Sequence, residues 1–85
     1  MPAKIERDLW LKMVEEPNEE YNVIVQLDDD PSSLTTELEK SGLVVYRTYR
    51  MFKMLAVSGS GEAVMELASD PRVVHIGADQ LVQAC

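Results

Sequence analysis

From Tyr21 onward the spacing of apolar residues switches between two and three-to-four, and the order of those switches leaves few folds open. In YNVIVQL, Tyr21, Val23, Val25 and Leu27 share one face of a segment rich in β-branched residues, which predicts a strand. The run DDDP ends it. Asp30 is placed to accept a hydrogen bond from the open N–H groups of a following helix, Pro31 suits its first turn, and Leu34 with Leu38 forms a buried stripe up to Gly42. The spacing predicts a helix over 31–41. LVVYRTY and MFKMLAV read as two strands of an antiparallel hairpin turning near Arg50, with no Asn-Gly corner to set the register. SGSGEAVMELASDP reads as a flexible lead, a helix over 61–69 with Val64, Leu67 and Ala68 on one face, and an Asp70-Pro71 stop. RVVHIGA is a last short strand, and DQLVQAC follows as an extended tail.

The order β-α-β-β-α-β is the split βαβ arrangement, so the fold class is α+β, ferredoxin-like. Right-handed crossovers place both helices on one face of a four-stranded antiparallel sheet and leave the other face bare. Several strands are apolar on both sides: Val23 and Val25 against Ile24, Val44 beside Val45, Met54 beside Leu55, Val73 beside Val74. A one-sided core does not need that, and a bare apolar face calls for a docking partner. Ahead of this unit, AKIERDLWLKMVE sets Ile5, Leu9 and Met13 at helical spacing, predicting an amphipathic helix over 3–15 that Pro17 and Asn18 stop. The chain divides into a helical extension over 1–18, a ferredoxin-like domain over 20–79 and a tail over 80–85. The domain is expected to fold without residues 1–16. The stripe on the extension suits core cover, pairing of two copies or a further partner equally well.

Composition narrows the function classes. The 85 residues carry fifteen acidic and eight basic side chains, a net charge of −7, which excludes nucleic acid and anionic membrane as natural partners. The acidity is concentrated in residues 1–30, where nine acids face only Lys4, Arg7 and Lys12. A single cysteine, Cys85, excludes an intramolecular disulfide and a multi-cysteine metal cage. Residues 1–20 lack the basic-then-apolar-then-small pattern of a secretion signal and no apolar run approaches the roughly 20 residues of a bilayer span, so a cytoplasmic location is expected.

Catalytic patterns are missing: there is no Gly-x-Ser-x-Gly elbow, no phosphate-cradling Gly-x-x-x-x-Gly-Lys, and no His/Cys/Asp grouping at metal spacing. The chain is therefore read as a non-enzyme, without a cofactor or metal. His75 has no Ser or Cys near it in sequence and is assigned to the core or a sheet face, and SGSGE to a plain connection rather than an anion loop. Tyr46, Tyr49 and Phe52 with Arg47, Arg50 and Lys53 hint at an RNA-recognition sheet, but the Lys/Arg-Gly-Phe/Tyr-Gly/Ala-Phe signature is absent and the net charge is wrong. A ligand-sensing or oligomerising regulatory module of the same topology remains the alternative.

The segment from Ser41 to Cys85 carries a more specific signal. Gly42 closes the first helix and a hairpin follows; Ala63, Val64 and Leu67 then lead to Asp70-Pro71-x-Val73, and Ile76 and Asp79 end the last strand before a short apolar tail. In this order and spacing the chain resembles the propeptides and free-standing inhibitors of subtilisin-like serine proteases, over residues 20–85. One departure is Gly77, where an acidic residue is common two positions before the Asp.

The resemblance implies an inhibitor of a subtilisin-like serine protease, with a role as folding helper left open. It implies that the open sheet face rests on surface helices of the protease while Leu81, Val82, Gln83, Ala84 and Cys85 lie product-like in the substrate cleft. Cys85 would then fill the primary specificity pocket, Val82 the apolar fourth pocket, and Asp79 would meet protease helix N-termini, where a carboxylate gains about 0.3–2 kcal/mol. In an extended tail Val82 and Ala84 project to one side and Leu81, Gln83 and Cys85 to the other, with backbone groups free to add to the cleft edge. Met1-Pro2 is read as a native start, and a separately encoded inhibitor is expected rather than an excised propeptide. The sequence does not fix the oligomeric state.

Overall fold

A computed structural model of the chain describes residues 4–79, and of Ser33 the backbone only. The elements run α1 (Arg7–Glu15), β1 (Glu20–Leu27), α2 (Ser32–Lys40), β2 (Val44–Tyr49), β3 (Met54–Ser60), α3 (Gly61–Leu67) and β4 (Val73–Ala78). The strands form one antiparallel sheet in the order β2-β3-β1-β4, the ferredoxin-like order expected from the element sequence.

Period two in β1 translates directly into burial. Tyr21, Val23, Val25 and Leu27 are buried under the helices, while Asn22 and Ile24 are half-buried and Gln26 is exposed on the opposite face. Across the ladder, Val57 opposes Val23, Leu55 opposes Val25 and Ile76 opposes Val25 on the other side, so the helix face is a continuous aliphatic layer. Leu34 and Leu38 of α2 and Val64 and Leu67 of α3 close over it. Asp30 caps the start of α2 as the sequence implied, its Oδ1 accepting from the Ser32 N–H at 2.9 Å and from its hydroxyl at 2.8 Å. Gly42 ends α2 with φ +88°, a conformation L side chains rarely adopt.

Several expectations need correction. The N-terminal helix begins at Arg7, later than the spacing implied, because the residues before it serve the sheet. Ile5 forms a parallel bridge with Ile76, with Ile76 N–H donating to the Lys4 carbonyl (2.7 Å) and Glu6 N–H to the Ile76 carbonyl (2.9 Å). Ile5, Leu9 and Met13 are all buried in the same core as the strands, and α1 lies against α3. Residues 4–15 are thus structural members of the core, which opposes the expectation that residues 1–16 can be removed.

The hairpin is also shifted. Arg50–Lys53 form its turn, so Met51 and Phe52, expected in a strand, sit exposed at the tip, and Lys53 supplies the left-handed residue (φ 53°) that an Asn-Gly pair would ordinarily provide. Correspondingly β3 extends through Ser58–Ser60, which was expected as flexible lead. Gly59 is required there: a Cβ would lie 2.2 Å from Leu43 Cδ2, in the core. Ser60 then caps α3 by accepting from the Ala63 N–H (3.2 Å), and that helix ends at Leu67, two residues short of the expected stop.

Candidate docking face and tail anchor

The three helices share one side of the sheet, and the register lists what the other side presents. Ile24 opposes Ala56 and Gly77, Ala56 opposes Arg47, Val44 opposes Ser58, Tyr49 opposes Met54, and His75 opposes Gln26. Val44 is 60% exposed on this face, and Val74, left without a register partner between His75 and Val73 at the β4 edge, is 48% exposed. At the hairpin tip Met51 is 91% and Phe52 64% exposed. His75 is exposed, in agreement with the sheet-face assignment.

The same register continues one residue beyond β4. Asp79 N–H donates to the Asn22 carbonyl (2.9 Å), which places Asp79 opposite Asn22 on the open face. There its carboxylate accepts the Tyr46 hydroxyl at 2.5 Å. Tyr46 belongs to β2, two strands away from β1, and reaches across because the register shifts between Val45 and Arg47. Ala56, on this face by register, is fully buried. Desolvation pushes the Tyr46 phenol well above the ordinary tyrosine range; the hydrogen bond to Asp79 and that residue's charge push it further, and the Arg47 guanidinium opposes the shift. Asp79 itself is 4% exposed. Expected as a contact with a protease surface, it is engaged within the chain.

The remaining residues named for the site, Leu81, Val82, Gln83, Ala84 and Cys85, lie outside the described residues. Two residues that the sequence did not assign to this site matter at this end of the sheet. Tyr46 is one. The other is Glu6: a side chain at Gly77 would start 3.3 Å from Glu6 Oε2, so the N-terminal segment brings a carboxylate to the position where Gly77 offers none. Spacing along the chain carries no sign of either, because each contact depends on how distant segments pair.

On the helix side, a groove of about 450 Å³ between α2 and α3 has Leu38, Leu43 and Leu67 in its floor and Glu37 and Asp70 on its rim. Arg72 bridges those two carboxylates, and holds the Asp70 carboxyl below the usual carboxylate range chiefly through hydrogen bonding. A second groove, between α1 and the start of β1, is lined by Glu15, Glu16, Glu19 and Tyr21, whose hydroxyl is shared between the Lys12 and Glu16 carbonyls at 3.0 and 2.9 Å. Burial and then the neighbouring carboxylates raise the Tyr21 phenol. Among the described residues no three His, Cys, Asp or Glu side chains are grouped to hold a metal ion, and no helix is long and apolar enough to cross a membrane. No family model matches the chain, and no curated protein matches it.

Proposed function

We propose that this chain inhibits a subtilisin-like serine protease, resting its open sheet face on the enzyme and placing residues 81–85 in the substrate cleft. The observation that carries the reading is the position of Asp79, anchored on the uncovered face, so that the tail starts from the surface proposed to dock. Uncovered Val44 and Val74 support it, since apolar side chains left in water gain nothing for the monomer. The Glu6 carboxylate beside Gly77 also supports it, because it restores acidity at the corner where the sequence departs from the resembled inhibitors.

The test is a titration of a subtilisin with the full chain, following hydrolysis of a chromogenic peptide. Inhibition is expected at near-stoichiometric concentrations. Val82→Ala trims apolar contact worth about 1–2 kcal/mol and should weaken inhibition by about 5- to 30-fold. Cys85→Asp places a charge in an apolar pocket and should weaken it more. Absence of inhibition, or equal inhibition after deletion of residues 80–85, would sink the cleft-occupying mechanism. A dimer seen by light scattering would then favour the oligomerising module.

A further inference from the structure

Asp79 is fixed from two directions. Its N–H continues the β1–β4 ladder through the Asn22 carbonyl, and its carboxylate accepts from Tyr46 of β2, on the far side of β3. The first contact sets its place along the sheet and the second its place across it. Tyr46 is suited to this reach because it is the extra residue of a bulge: Val45 opposes Val57, Arg47 opposes Ala56, and Tyr46 is paired with neither. Such an insertion bends the strand and re-aims the side chain. Being almost fully buried, Asp79 presents little surface to any partner.

We propose that Tyr46 is a positioning residue for residues 80–85: by clamping Asp79 to the open face it fixes the residue from which that segment continues, and so lowers the ordering cost of seating the segment in a protease cleft. This rests on the inhibitor reading above and changes the role of one residue within it. A carboxylate meeting helix N-termini of a protease acts through its charge. One that anchors a hydroxyl acts through its acceptor oxygen, which an amide also supplies.

The experiment compares full-length wild type, Tyr46→Phe, Asp79→Asn, Asp79→Ala and the double variant Tyr46→Phe/Asp79→Ala. For each, the inhibition constant against a subtilisin is measured well below the melting temperature, together with the melting curve and the exchange rate of the Asp79 amide. Loss of a hydrogen bond to a charged group predicts that Tyr46→Phe raises the inhibition constant about tenfold. Asp79→Ala should match it, Asp79→Asn should stay within about threefold of wild type, and the double variant should be no worse than either single change. Faster exchange at Asp79 in Tyr46→Phe, with the rest of β1 and β4 unchanged, is the sign that the clamp and not the fold has been released. A purely structural role would lower the melting temperature and leave the inhibition constant where it was.

Equal inhibition by Tyr46→Phe and wild type overturns the inference and leaves the inhibitor reading intact. So does equal loss in Asp79→Asn and Asp79→Ala, which would return Asp79 to a charge contact with the protease. Absence of inhibition by wild type overturns the reading and the inference together. Should Tyr46→Phe not fold, the Asp79→Asn and Asp79→Ala pair decides by itself.

Discussion

Val23 and Val25 lie fully buried beneath the helices, whereas Ile24, between them on the same strand, is half-buried on the opposite side, Val44 there is exposed, and Val74 is exposed at the β4 edge. On the helix side the buried positions belong to one aliphatic cluster, so their identities are constrained by the volume they must fill. On the open side fixed structure comes from a polar reach, Tyr46 to Asp79, and many of the other positions are in water. The difference separates two reasons for an apolar residue. Under the helices such residues make the fold; on the open face they are free to serve an interaction without cost to the monomer.

The largest expected effect tests whether α1 belongs with the closed side. Burying a side chain such as Ile5, Leu9 or Met13 contributes about 1.5–3 kcal/mol, so removing all three approaches the whole stability of a small domain, about 5–15 kcal/mol. Deletion of residues 1–16 should abolish cooperative melting by circular dichroism, and Met13→Ala alone should cost about 2–5 kcal/mol. A deletion variant that melts like wild type would put α1 back outside the core and break the comparison.

A smaller effect is expected in alkali, where each face holds a tyrosine whose phenol is raised. Unfolded tyrosine releases its proton near pH 10, while Tyr21 and Tyr46 keep theirs in the fold. Above that pH the unfolded state binds fewer protons than the native one, so stability declines as pH rises further. The melting temperature should fall by several degrees between about pH 9 and pH 11, and Tyr46→Phe and Tyr21→Phe should each flatten the slope. A slope unchanged by Tyr46→Phe would mean that this phenol is solvated, and that the open face lacks the ordering ascribed to it.

The smallest effect is expected at the uncovered valines. Val44→Ser and Val74→Ser should each change stability by no more than about 0.5 kcal/mol in denaturant melts while weakening protease inhibition measurably. A loss of 2 kcal/mol or more on the scale of core truncations would show that these side chains belong to the fold.

What the sequence made legible follows the same division. The buried stripes of β1 and α2, the cap at Asp30, the stop at Gly42 and the order of the elements could all be read, because each is a local pattern with a single periodicity. The β3 register could not. Its placement depends on Gly59 lying under Leu43 and on Lys53 taking a left-handed turn, neither of which has a composition signal. The role of α1 stayed open among core cover, pairing and a further partner, because an amphipathic stripe reports that a face is buried without saying against what. At the site, Asp79 was recognised from the resemblance, but its partner Tyr46, thirty-three positions away, appears only once the bulge in β2 is known. The tail residues 81–85 rest on sequence alone.

The bridge between Ile5 and Ile76 has a consequence for the order in which the chain assembles. It joins residues near the two ends of the described segment, and loop-closure entropy must be met before such a contact returns anything. Within this domain the segment that precedes every other element therefore has to wait for the strand that follows them. Until Val73–Ala78 has emerged and joined β1, Lys4–Glu6 have no edge to pair with, and the apolar stripe of α1 is only partly covered. A nascent or prematurely ended chain exposes that stripe, which makes the interval before β4 docks the one most prone to aggregation.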